Sequence, residues 1–383
     1  MISTQRVSVF IVAIFLCFIL LFQILQNDGP SINDIKNISY RPFRPSIHDS
    51  ILALFDSIRH PITENYTDVS GTRFLLEQPP IWTKPLKKKV LIVDIDTREP
   101  SGDNQILNSA KMDWEKLDVS GGELVSNGIM NHYLYAQIHG YDYKFFQAQH
   151  IKGHHDTWIL PHVLYDLLPD YQFVVTMDAD VTITHLEVPL EWLFNRWGLT
   201  KHTSISMPWD QEEILGGETV SIDSKGLQVL NTGVVAVQNL EYTFEMLEAW
   251  KDCTTEKRYS GCGRWKEEWS HEQRAFSEYI RYDFNPAGDN IVEIPCDDAM
   301  GWPGMMHEYE GQIMSDCNGT FFRHHTLRKD KTKESASSAV MQVLSEILQH
   351  ELLEHKDKVW VKEAERIEVD EAPSHVENVD LSG

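Results

Sequence analysis

The sequence predicts an α/β domain built on one doubly wound sheet. Three observations carry this. Phe173–Met177 is an unbroken run of apolar and β-branched residues, the composition of a strand covered on both faces. From Lys89 onward, strand and helix patterns alternate up to that run. The run then ends in Asp178-Ala179-Asp180, at the carboxyl end of a strand, which is where open α/β sheets bind ligands.

Two carboxylates one residue apart at the end of a buried strand are costly unless something neutralises them. A divalent cation does so, and Mg²⁺ or Mn²⁺ prefer oxygen ligands of this kind. Asp178 and Asp180 are therefore candidate metal ligands at a sheet edge, placed to clamp a phosphate. A solvated acidic turn is the alternative, and the apolar strand feeding the pair argues against it.

Taken in order, the chain opens with a short tail, residues 1–6. Residues 7–25 are 19 residues without a charge, long enough to cross a bilayer and longer than the apolar core of a signal peptide. Arg6 precedes them, Asp28 and Asp34 follow, and no small-residue cleavage site is present. This predicts a single-pass type II anchor with the body outside the cytosol; a cleaved signal peptide is the alternative. Residues 26–86, broken by Pro42, Pro45, Pro61, Pro79, Pro80 and Pro85, read as a stem with one helix at Ile47–Arg59.

Residues 87–330 hold the main domain. Lys89–Asp96 reads as its first strand, Gly128–His139 as a helix stopped by Gly140, Tyr141–Gln147 as the second strand and Trp158–Leu168 as a helix ended by Pro169. After an irregular stretch, residues 198–225, Asn231-Thr232-Gly233 turns into an apolar strand, followed by a helix at Tyr242–Trp250. Ser270-His271-Glu272-Gln273 opens another helix reaching Ile280, and Gly319–His325 is a short strand ending in two histidines. Within residues 331–362, Val340, Val343, Leu344, Ile347, Leu348 and Leu352 form one helical stripe that should pack on the body. Residues 363–383, with seven acids against one arginine, read as a disordered tail.

The 383 residues suffice for a sizeable core, and the net charge of −24 argues against nucleic acid as a partner. The tail accounts for −6 of that charge, so the acidity is general. Cys17 lies in the apolar segment; Cys253, Cys262, Cys296 and Cys317 remain, an even number for an oxidising lumen. Four cysteines allow three pairings, of which the sequence-local one, Cys253–Cys262 with Cys296–Cys317, is preferred. Glycosylation sequons begin at Asn37, Asn65 and Asn318.

Chemistry-bearing residues cluster late in the chain. Glu272, Asn231 and Gln273 are candidate catalytic groups. Gln273 could instead close a capping box with Ser270. Trp209 and Asp210 offer a ligand an aromatic face and a hydrogen-bonding carboxylate, or simply pack a loop. Arg328, Lys329, Lys331 and Lys333 could offer positive charge to a phosphate or form a solvated loop. His150, His154, His155 and Asp156 look like metal ligands, but no strand end organises them.

Several separated segments now match one pattern. Asn131, Tyr135-Ala136, His139-Gly140-Tyr141, Trp158, Asp178-Ala179-Asp180, Asn231-Thr232-Gly233, Gln238-Asn239, Trp250 and His271-Glu272-Gln273, in this order and spacing, resemble the Golgi type II α-glycosyltransferase family. That family contains galactomannan galactosyltransferases, xyloglucan xylosyltransferases and mannan-polymerase mannosyltransferases. The resemblance spans roughly residues 88–330 and implies a single GT-A-type domain, a mixed sheet flanked by helices. It implies a Mn²⁺- or Mg²⁺-dependent hexosyl transfer, with retention, from a nucleotide-sugar donor (UDP-hexose or GDP-mannose) to a glycan acceptor. Asp178 and Asp180 would hold the metal against the donor diphosphate, with Ala179 near the ribose, and His324 or His325 would be the third ligand. For that reaction, Glu272, Asn231 and Gln273 are the candidates for the polar group that retention requires beneath the anomeric carbon, and Trp209 and Asp210 could line the acceptor sugar. Lys329 and its basic neighbours, if placed there, would meet the departing diphosphate. The family usually continues after this histidine with x-x-Gly-Cys; here Thr326-Leu327-Arg328-Lys329 follows, which marks a diverged branch. With the anchor, the resemblance implies a Golgi or ER membrane location; homo- and hetero-oligomers with other transferases are both left open. A catalytically silent subunit of the same fold and a metal-dependent phosphoesterase are the rival readings.

Overall fold

The computed structural model describes residues 45–362. The apolar segment 7–25, the sequon at Asn37 and the acidic tail 363–383 lie outside the described residues. Among those described, no helix is long and apolar enough to cross a membrane.

The centre is a six-stranded mixed sheet of β3 (Val90–Asp96), β4 (Asp142–Gln147), β5 (Phe173–Met177), β7 (Ile205–Pro208), β10 (Val234–Gln238) and β11 (Ile291–Ile294), in the order β11-β7-β10-β5-β3-β4. Between β7 and β10 in the chain, β8 (Ile214–Leu215) and β9 (Glu218–Thr219) form a small antiparallel hairpin of their own. Of the six, β3, β4 and β5 run parallel, as the alternating pattern predicts; β10 runs antiparallel to both β5 and β7, and β11 is parallel to β7. All five residues of β5 are buried. Successive residues of these strands feed opposite cores, since strand side chains alternate. Val90, Ile92, Phe173, Val175, Val234 and Ala236 face one core, and Leu91, Val93, Val174, Val235 and Val237 the other.

Helices cover both faces. The first core is closed by α2 (Gly121–His139), α4 (Leu190–Arg196) and α7 (Thr332–Glu354), through Tyr135, Trp192 and Val343. The second is closed by α3 (Ile159–Leu167) and α5 (Glu241–Lys251), through Leu164, Leu247 and Trp250. Each such buried side chain stabilises the fold by about 1.5–3 kcal/mol relative to exposure.

Helix α2 starts seven residues earlier than its apolar pattern suggests. Gly128 does not end it but sits inside it, where a β-carbon would come within 3.1 Å of the Ala179 carbonyl oxygen. Its stop is as expected: Gly140 adopts φ 74° and donates to the Ala136 and Gln137 carbonyls. Helix α7 buries Ser335, Ala336, Ala339, Val343 and Ile347. The outer end of the expected stripe, Leu348 and Leu352, runs past the body and is half exposed.

The stem reading of residues 26–86 needs correction from Ile47 onward. Helix α1 (Ile47–Phe55) packs on α2, and the hairpin of β1 (Asn65–Thr67) and β2 (Arg73–Leu75) follows. Phe55, Tyr66 and Trp82 are buried in the first core. The Trp82 indole donates to the Leu199 carbonyl at 2.8 Å and meets Phe173 edge-on. A few large aromatic side chains fasten this proline-rich segment to the body without any periodic pattern. Both sequence-local disulfides are present, Cys253–Cys262 and Cys296–Cys317.

Candidate active site

Strand β5 delivers Asp178 to the open end of the sheet. The Asp178 N–H donates to the Gly233 carbonyl, Val181 N–H donates to the Asp178 carbonyl, and the chain turns into β6 (Val181–Ile183). β6 pairs antiparallel with β12 (Phe322–His324), which sets His324 opposite Val181. Helix α2 braces this turn from behind. The Asn131 amide grips both backbone groups of Ile183, and His132 bridges Asp94 and the Val181 carbonyl. Tyr135 donates to the Val188 carbonyl, and His139 lies 2.8 Å from that of Leu186. Asn131, Tyr135 and His139 of the family pattern, with His132 beside them, thus hold backbone in place.

The result is a three-sided nest of ligand atoms. His324 Nε2 lies 3.7 Å from Asp178 Oδ2 and 3.5 Å from Asp180 Oδ1, and one ligand atom from each residue falls within a 4.8 Å sphere of the others. Asp178 opens to the cleft with 59% of its side chain exposed; Asp180 and His324 are buried. Burial alone would raise the Asp180 carboxyl, but His324 and Lys329 outweigh it and hold it below the usual range. Burial opposes a charge on His324, and Asp180 with Asp178 reverses this and raises it. Two carboxylate oxygens and an imidazole nitrogen are a donor set that suits Mn²⁺ or Mg²⁺.

His325 is not part of the nest. Adjacent residues at the end of a strand face opposite ways, and its ring is buried against Trp302. Of the basic run, only Lys329 reaches the site, with Nζ 2.7 Å from Asp180 Oδ2. Arg328 and Lys331 pair with Glu308, and Lys333 caps the Glu115 carbonyl. The His150 group does not converge on a metal site: His150 pairs with Asp156, His154 with Thr254, and His155 stacks on His271.

The nest opens into a cleft of ≈ 350 Å³ whose lining includes Asp96, Arg98, His155, Thr232, Glu272 and Lys329. Glu272, in α6 (His271–Ala275), also lines it, with the Trp250 indole donating to its carbonyl. The Thr232 hydroxyl donates to Glu272 Oε1 at 2.9 Å. Burial pushes the Glu272 carboxyl up to about 7.

The other two catalytic candidates play a different part. Asn231 spends its amide on Asp210 and the Gly233 N–H, and Gln273 spends its own on Asp210 and the Thr232 N–H. Neither lines the cleft; both position the Asn231–Gly233 turn. The capping-box alternative for Gln273 fails, because no side chain caps α6. Asp210 is engaged by the same network, burial raises it to about 6, and it does not line the cleft. The Trp209 indole donates to Glu293, outside the cleft lining. Sequence reasoning missed Asp96, Arg98, His155 and Thr232 as cleft residues. The acidic end of the first strand was the signal for Asp96.

Residues 106–292 match the model of the galactosyl transferase GMA12/MNN10 family. The protein is a glycosyltransferase. No curated protein matches it. Among solved structures, the glycosyltransferase that acts in glycosylation of the major capsid of PBCV-1 shares 12% identity. That alignment covers 65% of this chain and 98% of the other, at TM-score 0.41. Mouse xyloside xylosyltransferase 1 shares 9%, covering 63% and 99%, at 0.36. The galactosyltransferase LgtC, with donor and acceptor sugar analogues, shares 10%, covering 65% and 95%, at 0.36. The matched segment of the glycosyltransferase contains Asp178, Asp180 and Glu272; His324 and Lys329 lie beyond it.

Proposed function

We propose that the glycosyltransferase moves a hexose, with retention, from a nucleotide-sugar donor to a glycan acceptor, aided by Mn²⁺ or Mg²⁺. One observation carries this reading: Asp178, Asp180 and His324 converge beside a cleft that Glu272 also lines. Asp178, Asp180 and His324 would hold the cation. When bound, it supplies a Lewis acid that offsets charge building on the departing diphosphate.

The chain's own residues account for the rest. Lys329 adds a fixed positive charge beside Asp180, where the leaving group's charge would develop. Glu272 presents a carboxyl to the cleft, held by Thr232 and by the Trp250 grip on its backbone, suited to meet positive charge at the anomeric carbon. Thr232 is in turn fixed by Gln273, and Gln273 by Asp210. The donor is a UDP-hexose or GDP-mannose, and the setting is the Golgi lumen behind a residue 7–25 anchor; the family and the apolar segment support both.

The test is donor turnover. Residues 47–362 are offered a panel of nucleotide sugars, and free nucleotide is measured with and without Mn²⁺. Metal-dependent release is expected, and its loss in Asp180→Ala. Release that persists in Asp180→Ala would overturn the reading.

A further inference from the structure

Trp269 is the most exposed tryptophan among the described residues, at 71%. An indole so open to water contributes little to packing. It precedes Glu272 by three residues, at the entrance to α6. Its ring meets His271 edge-on at 5.9 Å. His271 in turn stacks on His155, with centroids 3.6 Å apart and planes 19° from parallel, and His155 lines the Glu272 cleft. Two imidazoles therefore join the indole to the cleft wall, and Trp269 forms the outer rim.

The chemistry of that rim is specific. Burial, with His155 beside it, holds His271 below its usual pKa, so the ring is uncharged at neutral pH. Glu267 and Glu268, both exposed, directly precede the indole; Glu268 lies 3.8 Å from Arg264, Glu267 adds an acid, and the body is already strongly acidic, which disfavours an anionic ligand. What remains is a flat apolar face, with one free N–H, beside a polar cleft. That suits the C–H face of an uncharged pyranose, whose hydroxyls stay in water at the edges. Trp209 is less suited, since its N–H is engaged by Glu293.

We infer that Trp269 is the platform on which the acceptor glycan, a neutral pyranose residue, stacks at the mouth of the cleft. This rests on the glycosyl-transfer reading of the Glu272 cleft. The experiment titrates the full-length chain and its W269A and W269F variants with mannotetraose and cellotetraose, in Mn²⁺, by saturation-transfer NMR. The wild type should bind at least one of them saturably. W269A should weaken that binding about tenfold, equivalent to ~1.4 kcal/mol of stacking. W269F should restore most of it, and the melting temperature of each variant reports that it is folded. If the wild type binds neither sugar, or W269A binds as well as the wild type, or W269F is as weak as W269A, the platform is overturned. Donor hydrolysis by the wild type is measured in parallel. Its absence overturns the transfer reading itself, whereas its presence beside unaffected binding in W269A overturns the platform alone.

Discussion

The His324 imidazole lies across Gly233 so closely that a β-carbon on the glycine would stand 2.2 Å from its Cε1. This contact ties His324 on β12, a proposed metal ligand, to the turn that enters β10. Gly233→Ala should force the ring aside, at about 1–3 kcal/mol of stability. Mn²⁺ affinity should fall by about tenfold or more, as for loss of other groups that orient a ligand. Calorimetric titration checks this; an unchanged affinity would show that the contact does not place the ligand.

Lys329 is the one member of its basic run that enters the cleft. Replacing it by Met removes a fixed charge next to the developing one, and kcat for donor turnover should drop about 100-fold. Lys329→Arg should recover part of the loss. Steady-state rates with saturating Mn²⁺ decide it. A drop seen only in donor KM would mean that Lys329 binds donor without favouring the transition state.

Burial raises Glu272 to about 7, above the 4.5 expected for it unfolded. The sign follows from linkage. The folded state binds this proton more tightly, so stability is full below the unfolded pKa and is lost as pH rises from about 4.5 through 7. The loss is on the order of 3 kcal/mol. Glu272→Gln should flatten that part of the melting-temperature profile between pH 4.5 and 8. Activity should move the other way in the wild type, rising toward pH 7 and above as the carboxylate forms. A profile as steep in the glutamine variant as in the parent would place the titration elsewhere, with Asp210 the next candidate.

The parts of this design that a single sequence displays are those set by local pattern. The five buried residues of β5 announce themselves, and Asp178 and Asp180 follow from where that strand must end. The disulfides, each closing a short loop, follow from proximity in the chain. What pattern could not supply is direction. Nothing in His324-His325 says which imidazole turns toward the aspartates; the pairing of β12 with β6 decides it. Nor does Asp210 declare that its carboxylate will be consumed by Asn231 and Gln273, residues 21 and 63 positions away. Gly128 reads as a helix boundary until the close approach of Ala179 explains why a side chain is missing there.

The proline-rich segment before the sheet is the sharpest such case, and it makes a testable claim about the site. Tyr66 is buried, with its hydroxyl 2.8 Å from His185 Nδ1 and donating to Glu187, and its ring edge-on to Trp192 at 5.7 Å. Phe321, 6.3 Å away in the same aromatic cluster, directly precedes β12 and therefore His324. Tyr66→Ala should cost about 3–5 kcal/mol, as for other buried aromatics. Residues 80–362, which lack Phe55, Tyr66 and Phe74 altogether, should yield far less soluble protein than residues 47–362. Loosening the cluster frees Phe321, so Tyr66→Ala should also weaken Mn²⁺ binding, although Tyr66 is not itself a ligand. Thermal melts and metal titration on the same sample separate the two effects. A variant that loses stability yet keeps the metal affinity of its parent would show that β12 is held by β6 alone.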